Sequence, residues 1–243
     1  MSVLSGKGAV VTGGSRGIGR AVVERLAADG AQVVFSYRAD ETAAKDVAES
    51  TGAHAVRADV GDRADLERFF AEAEARLPGL DILVNNAAEL TGVKPITDIT
   101  DDDYERAFAV NTRAAFLAMQ WAGRVMRDGG RIVNVSTLNT VIPGPALALY
   151  TSSKAAIEQF AKVAAREFGP RGITANSVSP GATDTDLLRT ANPPEALERS
   201  KAFTALGRLG TPEDIASVVA FLAGPDGRWV TGQNLLATGG MIV

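Results

Sequence analysis

Short apolar runs alternate along the chain with longer stretches in which apolar residues recur at helical spacing. Residues 9–12 form the first such run, suited to a strand buried on both faces, and Ile18, Ala21, Val22 and Leu26 then switch to helical spacing across a cluster of glycines. The pattern repeats with a strand over 32–37, an alanine-rich helix over 42–50 and a strand over 53–58. Asp62 can cap the next helix, whose Leu66, Phe69, Phe70, Ala73 and Leu77 form one apolar stripe ended by Pro78-Gly79.

A fourth strand over 81–84 runs into Asn85-Asn86-Ala87-Ala88. Thr100, followed by three aspartates, announces a long helix reaching about Met126, and Gly129-Gly130 closes that unit. Strand five is expected over 131–135, a helix over 149–168 and strand six over 173–178. Thr211-Pro212-Glu213-Asp214 opens a last helix, with a seventh strand over 234–237. Strict alternation predicts an α/β fold: a doubly wound parallel sheet of about seven strands with helices on both faces, and ligand beyond the carboxyl ends of the strands where their order reverses. No repeat or linker divides the chain, so residues 1–243 are expected to form a single domain. The less regular stretch 183–210, with Asn192-Pro193-Pro194 between Leu187-Leu188 and Phe203, reads as a lid or substrate wall.

Composition narrows the function. Hydrophobic residues make up 46% of the 243, enough for a well-filled core. A formal net charge of −4, without any lysine/arginine block, gives no footprint for nucleic acid. The absence of cysteine excludes disulfides, thiolate nucleophiles and zinc–thiolate sites, and the single His54, read as a helix-to-strand connection residue, excludes a His-rich metal site. No metal is expected. No leader pattern opens the sequence and no apolar stretch approaches membrane-spanning length, so a cytoplasmic protein without membrane contact is the expectation.

Two stretches carry chemistry. In Thr12-Gly13-Gly14-Ser15-Arg16-Gly17-Ile18-Gly19 the glycines permit a tight turn, and the helix opening there aims free N–H groups and its positive dipole end at an anion. Tyr150 and Lys154 lie four apart on a helix and share a face, where an ammonium beside a phenol would favour the phenolate and bring tyrosine into range for proton transfer. The glycine turn, Asn85 to Ala88, Asn111, Ser136-Thr137, Tyr150/Lys154 and Pro180-Gly181 occur in an order and spacing that resemble the classical short-chain dehydrogenase/reductase family. The segment 207–216 and the end from Gly232-Gln233 to Gly239-Gly240 resemble its 3-oxoacyl-thioester-reductase-like members.

That resemblance implies a Rossmann-like domain in which Tyr150 exchanges a proton with the substrate oxygen while hydride moves to or from a nicotinamide. Lys154 would bind the nicotinamide ribose and tune Tyr150, and Asn111 would hold a water of a proton relay. The hydroxyl thirteen residues before the tyrosine, here Thr137, would orient the substrate carbonyl; alternation along strand five lets only one of Ser136 and Thr137 aim at the helix carrying Tyr150. The family usually has serine at Thr137 and glycine at Ala88. Threonine keeps the hydroxyl but adds a methyl and a restricted χ1.

The resemblance also places coenzyme contacts at Gly13, Ser15, Arg16, Gly17, Ile18 and Gly19, at Asp59 and Val60 for the adenine, and at Asn86, Ala87, Pro180, Gly181, Thr183 and Thr185 for the remainder. Coenzyme choice is read at the end of strand two, where an acid would bond the ribose 2′-hydroxyl of NAD. This chain offers Arg38 there, which with Arg16 suits the 2′-phosphate of NADP(H), while Asp40 nearby keeps NAD(H) open. The expected reaction is reversible reduction of a ketone, or of a 3-oxoacyl thioester. For an acyl carrier protein partner, Arg171 is suitably basic but Arg127-Asp128-Gly129 puts acid where base is wanted, so a free small ketone is at least as well supported. An NAD-dependent secondary-alcohol or sugar dehydrogenase and a non-catalytic dinucleotide sensor are the alternatives, and a homotetramer built on the two long helices is the implied assembly.

Overall fold

A computed structural model describes residues 2–91 and 93–242. Strands β1 (Gly8–Val11), β2 (Gln32–Tyr37), β3 (His54–Arg57), β4 (Leu80–Asn85), β5 (Met126–Val135), β6 (Thr174–Pro180) and β7 (Asn234–Ala237) form one sheet in the order β3-β2-β1-β4-β5-β6-β7. Every neighbouring pair is parallel. The order reverses between β1 and β4, which opens a crevice at their carboxyl ends.

Successive strand residues point to opposite faces, and the sequence is apolar in both registers. Val11, Val33, Phe35, Val84 and Val133 pack on one side with α1 (Gly17–Ala28), α2 (Glu41–Thr51) and α9 (Pro212–Ala223). Val10, Val34, Leu83 and Ile132 pack on the other with α3 (Arg63–Arg76), α5 (Ala114–Val125) and α6 (Ala148–Phe168). Helix starts follow their caps: Asp62 accepts the Asp65 N–H on α3, Thr100 forms a capping box with Asp103 on α4 (Asp101–Phe108), and Thr211 does so with Asp214 on α9.

Five expectations are corrected. β1 stops at Val11, freeing Thr12 for the turn, and His54 is the first residue of β3 rather than part of a connection. The long helix from Asp101 contains a π-helical turn, Ala109–Arg113, between α4 and α5. β5 begins at Met126, which pairs with Leu80 before a register shift; Gly129, at φ 79°, sits inside this irregular strand instead of ending the helical unit. Residues 183–210 fold largely into α7 (Asp186–Ala191) and α8 (Pro194–Phe203), and a Thr183–Gly210 bridge closes the ends of the excursion. Among the described residues no helix is long and apolar enough to cross a membrane.

Candidate active site

The glycine turn lies where the sheet order reverses, held by β4. Thr12 Oγ1 accepts the N–H groups of Asn86 (3.0 Å) and Ala87 (3.1 Å), and Asn86 Nδ2 donates to the carbonyls of Thr12 (3.1 Å) and Gly13 (2.9 Å). Asn86 thus braces the turn itself. Gly13 and Gly17 have φ of 70° and 52°, and a Cβ at Gly19 would stand 2.0 Å from the Gly13 carbonyl oxygen, so only glycine fits there. Arg16, the residue before α1, makes no side-chain cap, which leaves the first-turn N–H groups for an anion. Ser15 is buried and Ile18 packs on the core. Thr185, which caps α7, comes within 3.3 Å of where a Gly17 Cβ would lie and so forms the opposite wall of the turn. Near it, Thr183 Oγ1 donates to the Gly181 carbonyl (3.0 Å), and the Gly181 N–H, just past Pro180, bonds Ala237 O (2.9 Å).

At the far end of β2, Arg38 Nη1 donates to Glu89 Oε2 (2.8 Å), and Arg16 faces Asp40 at 3.9 Å. Asp40 Oδ1 accepts the Ala43 N–H (3.0 Å) and caps α2. Asp59 pairs with Arg106 (3.0 Å) and accepts the Gly61 N–H (2.9 Å), with Val60 buried beside it.

Tyr150 stands near the start of α6, and Thr137 lies two residues past the end of β5, where its hydroxyl acts on the phenol's titration. Burial pushes the Tyr150 pKa up, and Thr137 opposes this. The expected lowering by a neighbouring ammonium is therefore not found: the Lys154 amine points into the protein, donating to Val135 O at 2.7 Å, and its burial brings its own pKa down to about 8. Ser136 also meets α6, two turns beyond Tyr150, through Glu158 Oε1 (2.5 Å). Alternation alone therefore did not separate the two hydroxyls, because the chain leaves the strand after Val135 and both neighbours reach the same helix.

Asn111 lies in the π-helical turn, almost fully buried. Its amide accepts the Glu89 N–H (2.8 Å) and donates to Glu89 O (3.0 Å) and to Ser153 Oγ (3.1 Å) on α6. A cavity of about 10 Å³ lies between Asn111, Lys154, Thr12 and Asn85. Asn85 Oδ1 is a buried acceptor without a hydrogen-bond partner. Ala88 is exposed, so its methyl meets no tight packing. Arg171 is tied to Asp128 (2.8 Å) and to the carbonyls of Gly123 (2.7 Å) and Met126, at the amino end of β6 and away from the crevice, so it offers no free charge to an acidic partner there.

Sequence reading missed Glu89, Arg106, Ser153 and Glu158. Glu158 continues the i, i+4 stripe of Tyr150 and Lys154, a signal available from spacing. Glu89 directly follows the Asn85 to Ala88 motif, but its partners Arg38, Arg106 and Asn111 come from three separate parts of the chain and no local pattern marks them.

The enoyl-(acyl carrier protein) reductase family model matches residues 13–242. The chain is 40% identical to the hydroxynaphthalene reductase-like protein of Metarhizium brunneum, over 98% of this chain and 96% of that protein. Among solved structures, it resembles a short-chain dehydrogenase/reductase from Serratia marcescens with TM-score 0.92 and 41% identity, covering 98% of this chain and 99% of the other. It likewise resembles the angucycline C-6 ketoreductase LanV with bound NADP, with TM-score 0.92 and 41% identity over 99% of this chain and 97% of that one. With the glycine turn braced by Asn86, and Tyr150 and Lys154 on one helix beside Thr137, these matches over nearly the full length establish that the chain belongs to the short-chain dehydrogenase/reductase family of oxidoreductases.

Proposed function

We propose that the protein is an NADP(H)-dependent ketoreductase that interconverts a ketone and a secondary alcohol. The convergence of α6 on the carboxyl end of β5, with Lys154 Nζ fixed on Val135 O (2.7 Å), carries this reading, because it sets a phenol, an amine and the Thr137 hydroxyl together at the end of the sheet. When bound, the nicotinamide supplies or accepts the hydride. Tyr150 donates its proton to the substrate oxygen, a role suited to a phenol whose raised pKa keeps it protonated at neutral pH. Thr137 orients that oxygen by a second hydrogen bond.

Lys154, anchored on Val135 O by one of its three N–H groups, would reach the coenzyme ribose and the proton path with the other two. The cavity between Asn111 and Lys154 is about the size of one water, which supports Asn111 as the holder of a relay water. Gly13, Ser15, Gly17, Ile18 and Gly19 would cradle the pyrophosphate. Asp59 and Val60 would flank the adenine, and Asn86, Ala87, Pro180, Gly181, Thr183 and Thr185 the rest. Arg38 and Arg16 would clamp the 2′-phosphate. Engagement of Asp40 in the α2 cap weighs against its use for an NAD ribose, and the NADP bound to LanV agrees with the arginine reading.

Leu187, Phe203 and Leu206 are large apolar side chains left exposed on the excursion that faces the glycine turn, which supports a substrate with an apolar body. The names of two relatives, a hydroxynaphthalene reductase-like protein and an angucycline ketoreductase, point to fused-ring ketones as the first compounds to try. The test is oxidation of NADPH and NADH at 340 nm with fused-ring ketones, short ketones and a 3-oxoacyl thioester, for the unaltered protein and for Arg38→Asp. Turnover with NADPH preferred, reversed in Arg38→Asp, is expected. NADH preference in the unaltered protein would return the ribose contact to Asp40, and coenzyme binding without any turnover would favour a sensor.

A further inference from the structure

Glu89 occupies an unusual place between the coenzyme-choosing arginine and the catalytic helix. Its carboxylate oxygen Oε2 accepts from Arg38 Nη1 (2.8 Å) and from Arg106 Nε (2.8 Å), and Arg106 continues to Asp59 (3.0 Å). Its backbone is fixed at both polar groups by the Asn111 amide, through the N–H (2.8 Å) and the carbonyl (3.0 Å). The two ends of the Arg38–Glu89 pair therefore differ in freedom. Arg38 is a long side chain, 57% exposed, whereas Glu89 is 28% exposed and held by a second arginine and a pinned backbone.

If Arg38 turns to a phosphate, Glu89 stays behind on Arg106, which it shares with Asp59. Breaking the pair leaves Arg106 to serve both Glu89 and Asp59, and partial exposure of both carboxylates to water limits the cost of the exchange. The fixed carboxylate nevertheless competes with any anion for the same guanidinium. We propose that Glu89 is a specificity-determining residue for the coenzyme: it is the resident counter-ion that the 2′-phosphate of NADP(H) must displace from Arg38, so it weakens NADP(H) binding and leaves NAD(H) binding unaffected. The proposal rests on the assignment of Arg38 to the 2′-phosphate.

Direct binding tests it. Dissociation constants for NADPH and NADH are measured by coenzyme fluorescence on the full chain, for the unaltered protein, Glu89→Gln, Arg38→Ala and the double variant. Glu89→Gln should tighten NADPH about three- to fivefold, the scale of one partly exposed ion pair, and move NADH less than about twofold. In the Arg38→Ala background the gain should vanish. Weaker NADPH binding in Arg38→Ala with unchanged or weaker binding in Glu89→Gln overturns the proposal alone, because Glu89 would then be inert or would pre-position Arg38. An Arg38→Ala variant that discriminates NADPH from NADH as the unaltered protein does overturns the 2′-phosphate assignment and the proposal with it. If Glu89→Gln does not fold, Glu89→Asp, one methylene shorter and so drawn off Arg38, gives the same comparison with the same expected sign.

Discussion

Ser136 Oγ donates to Glu158 Oε1 at 2.5 Å, two turns along α6 from Tyr150, which commits this hydroxyl to the carboxylate and leaves its neighbour Thr137 as the hydroxyl for the reacting oxygen. The same carboxylate oxygen accepts from Thr140 Oγ1 (2.7 Å), so residues on both sides of Thr137 are tied to α6. Two adjacent hydroxyls therefore predict different kinetic losses. Thr137→Val, nearly the same shape without the hydroxyl, should lose roughly 10² in kcat, the scale for one oxyanion donor, with little change in NADPH affinity. Ser136→Ala should keep kcat within about an order of magnitude, since it removes a support and not a contact to the reacting oxygen. Steady-state kinetics of the two variants decide it, and the reverse ranking would move the hydroxyl assignment to Ser136.

Lys154 predicts a pH dependence of stability. Its pKa of about 8 in the folded chain lies below the ordinary lysine value of 10.5, with burial as the cause. Between those two values the unfolded chain holds a proton that the native chain has released, so stability rises with pH across the window. Below pH 8 the buried ammonium carries its full penalty. Relative to Lys154→Met, the unaltered protein should gain stability from pH 7.5 upward, by up to about 3 kcal/mol over the whole window. Urea titrations of both proteins at several pH values measure the difference; a flat difference would mean that the amine titrates with an ordinary pKa.

Much of the architecture was legible because strand and helix periods alternate cleanly, and because Asp62, Thr100 and Thr211 carry cap chemistry in their own neighbourhoods. The start of β5 was not, since Met126 joins the sheet through a register shift that depends on Leu80, far away in sequence. Asn111 showed only as a polar residue inside a helix. The π-helical turn that holds it and its bonds to Glu89 and Ser153 are encoded by no local pattern. Spacing brought Tyr150 and Lys154 to one face, yet the direction of the Lys154 amine depends on the Val135 carbonyl, which only the folded sheet supplies.

Assembly is testable in the same way. Phe116 and Val125 on α5, Val163 on α6 and Tyr104 on α4 are exposed apolar or aromatic side chains on the helices implied as a shared interface. A tetrameric mass by light scattering at micromolar concentration is expected, and Val163→Glu should lower it by placing charge in a contact between subunits. A monomeric mass for the unaltered protein would remove the four-helix contact.

The last expectation concerns Ala146, which at φ 64° is the one non-glycine residue in the left-handed region among those described. It lies two residues before α6 and four before Tyr150, and its carbonyl accepts the Lys94 N–H at 3.2 Å. An alanine in this conformation is strained by about 1 kcal/mol, because its Cβ crowds the carbonyl oxygen. Ala146→Gly removes the crowding but adds freedom to the unfolded chain, worth about 0.4–1 kcal/mol in the opposite direction. The net change should fall between neutral and a gain of about 0.6 kcal/mol. Ala146→Val adds two γ-carbons to the same crowded position and should destabilise by about 1–3 kcal/mol. Because the strained residue leads directly into the helix that carries Tyr150, the valine variant should also lose kcat more than NADPH affinity. Urea denaturation ranks the three proteins, and valine tolerated as well as glycine would show that the chain at Ala146 does not need the left-handed conformation.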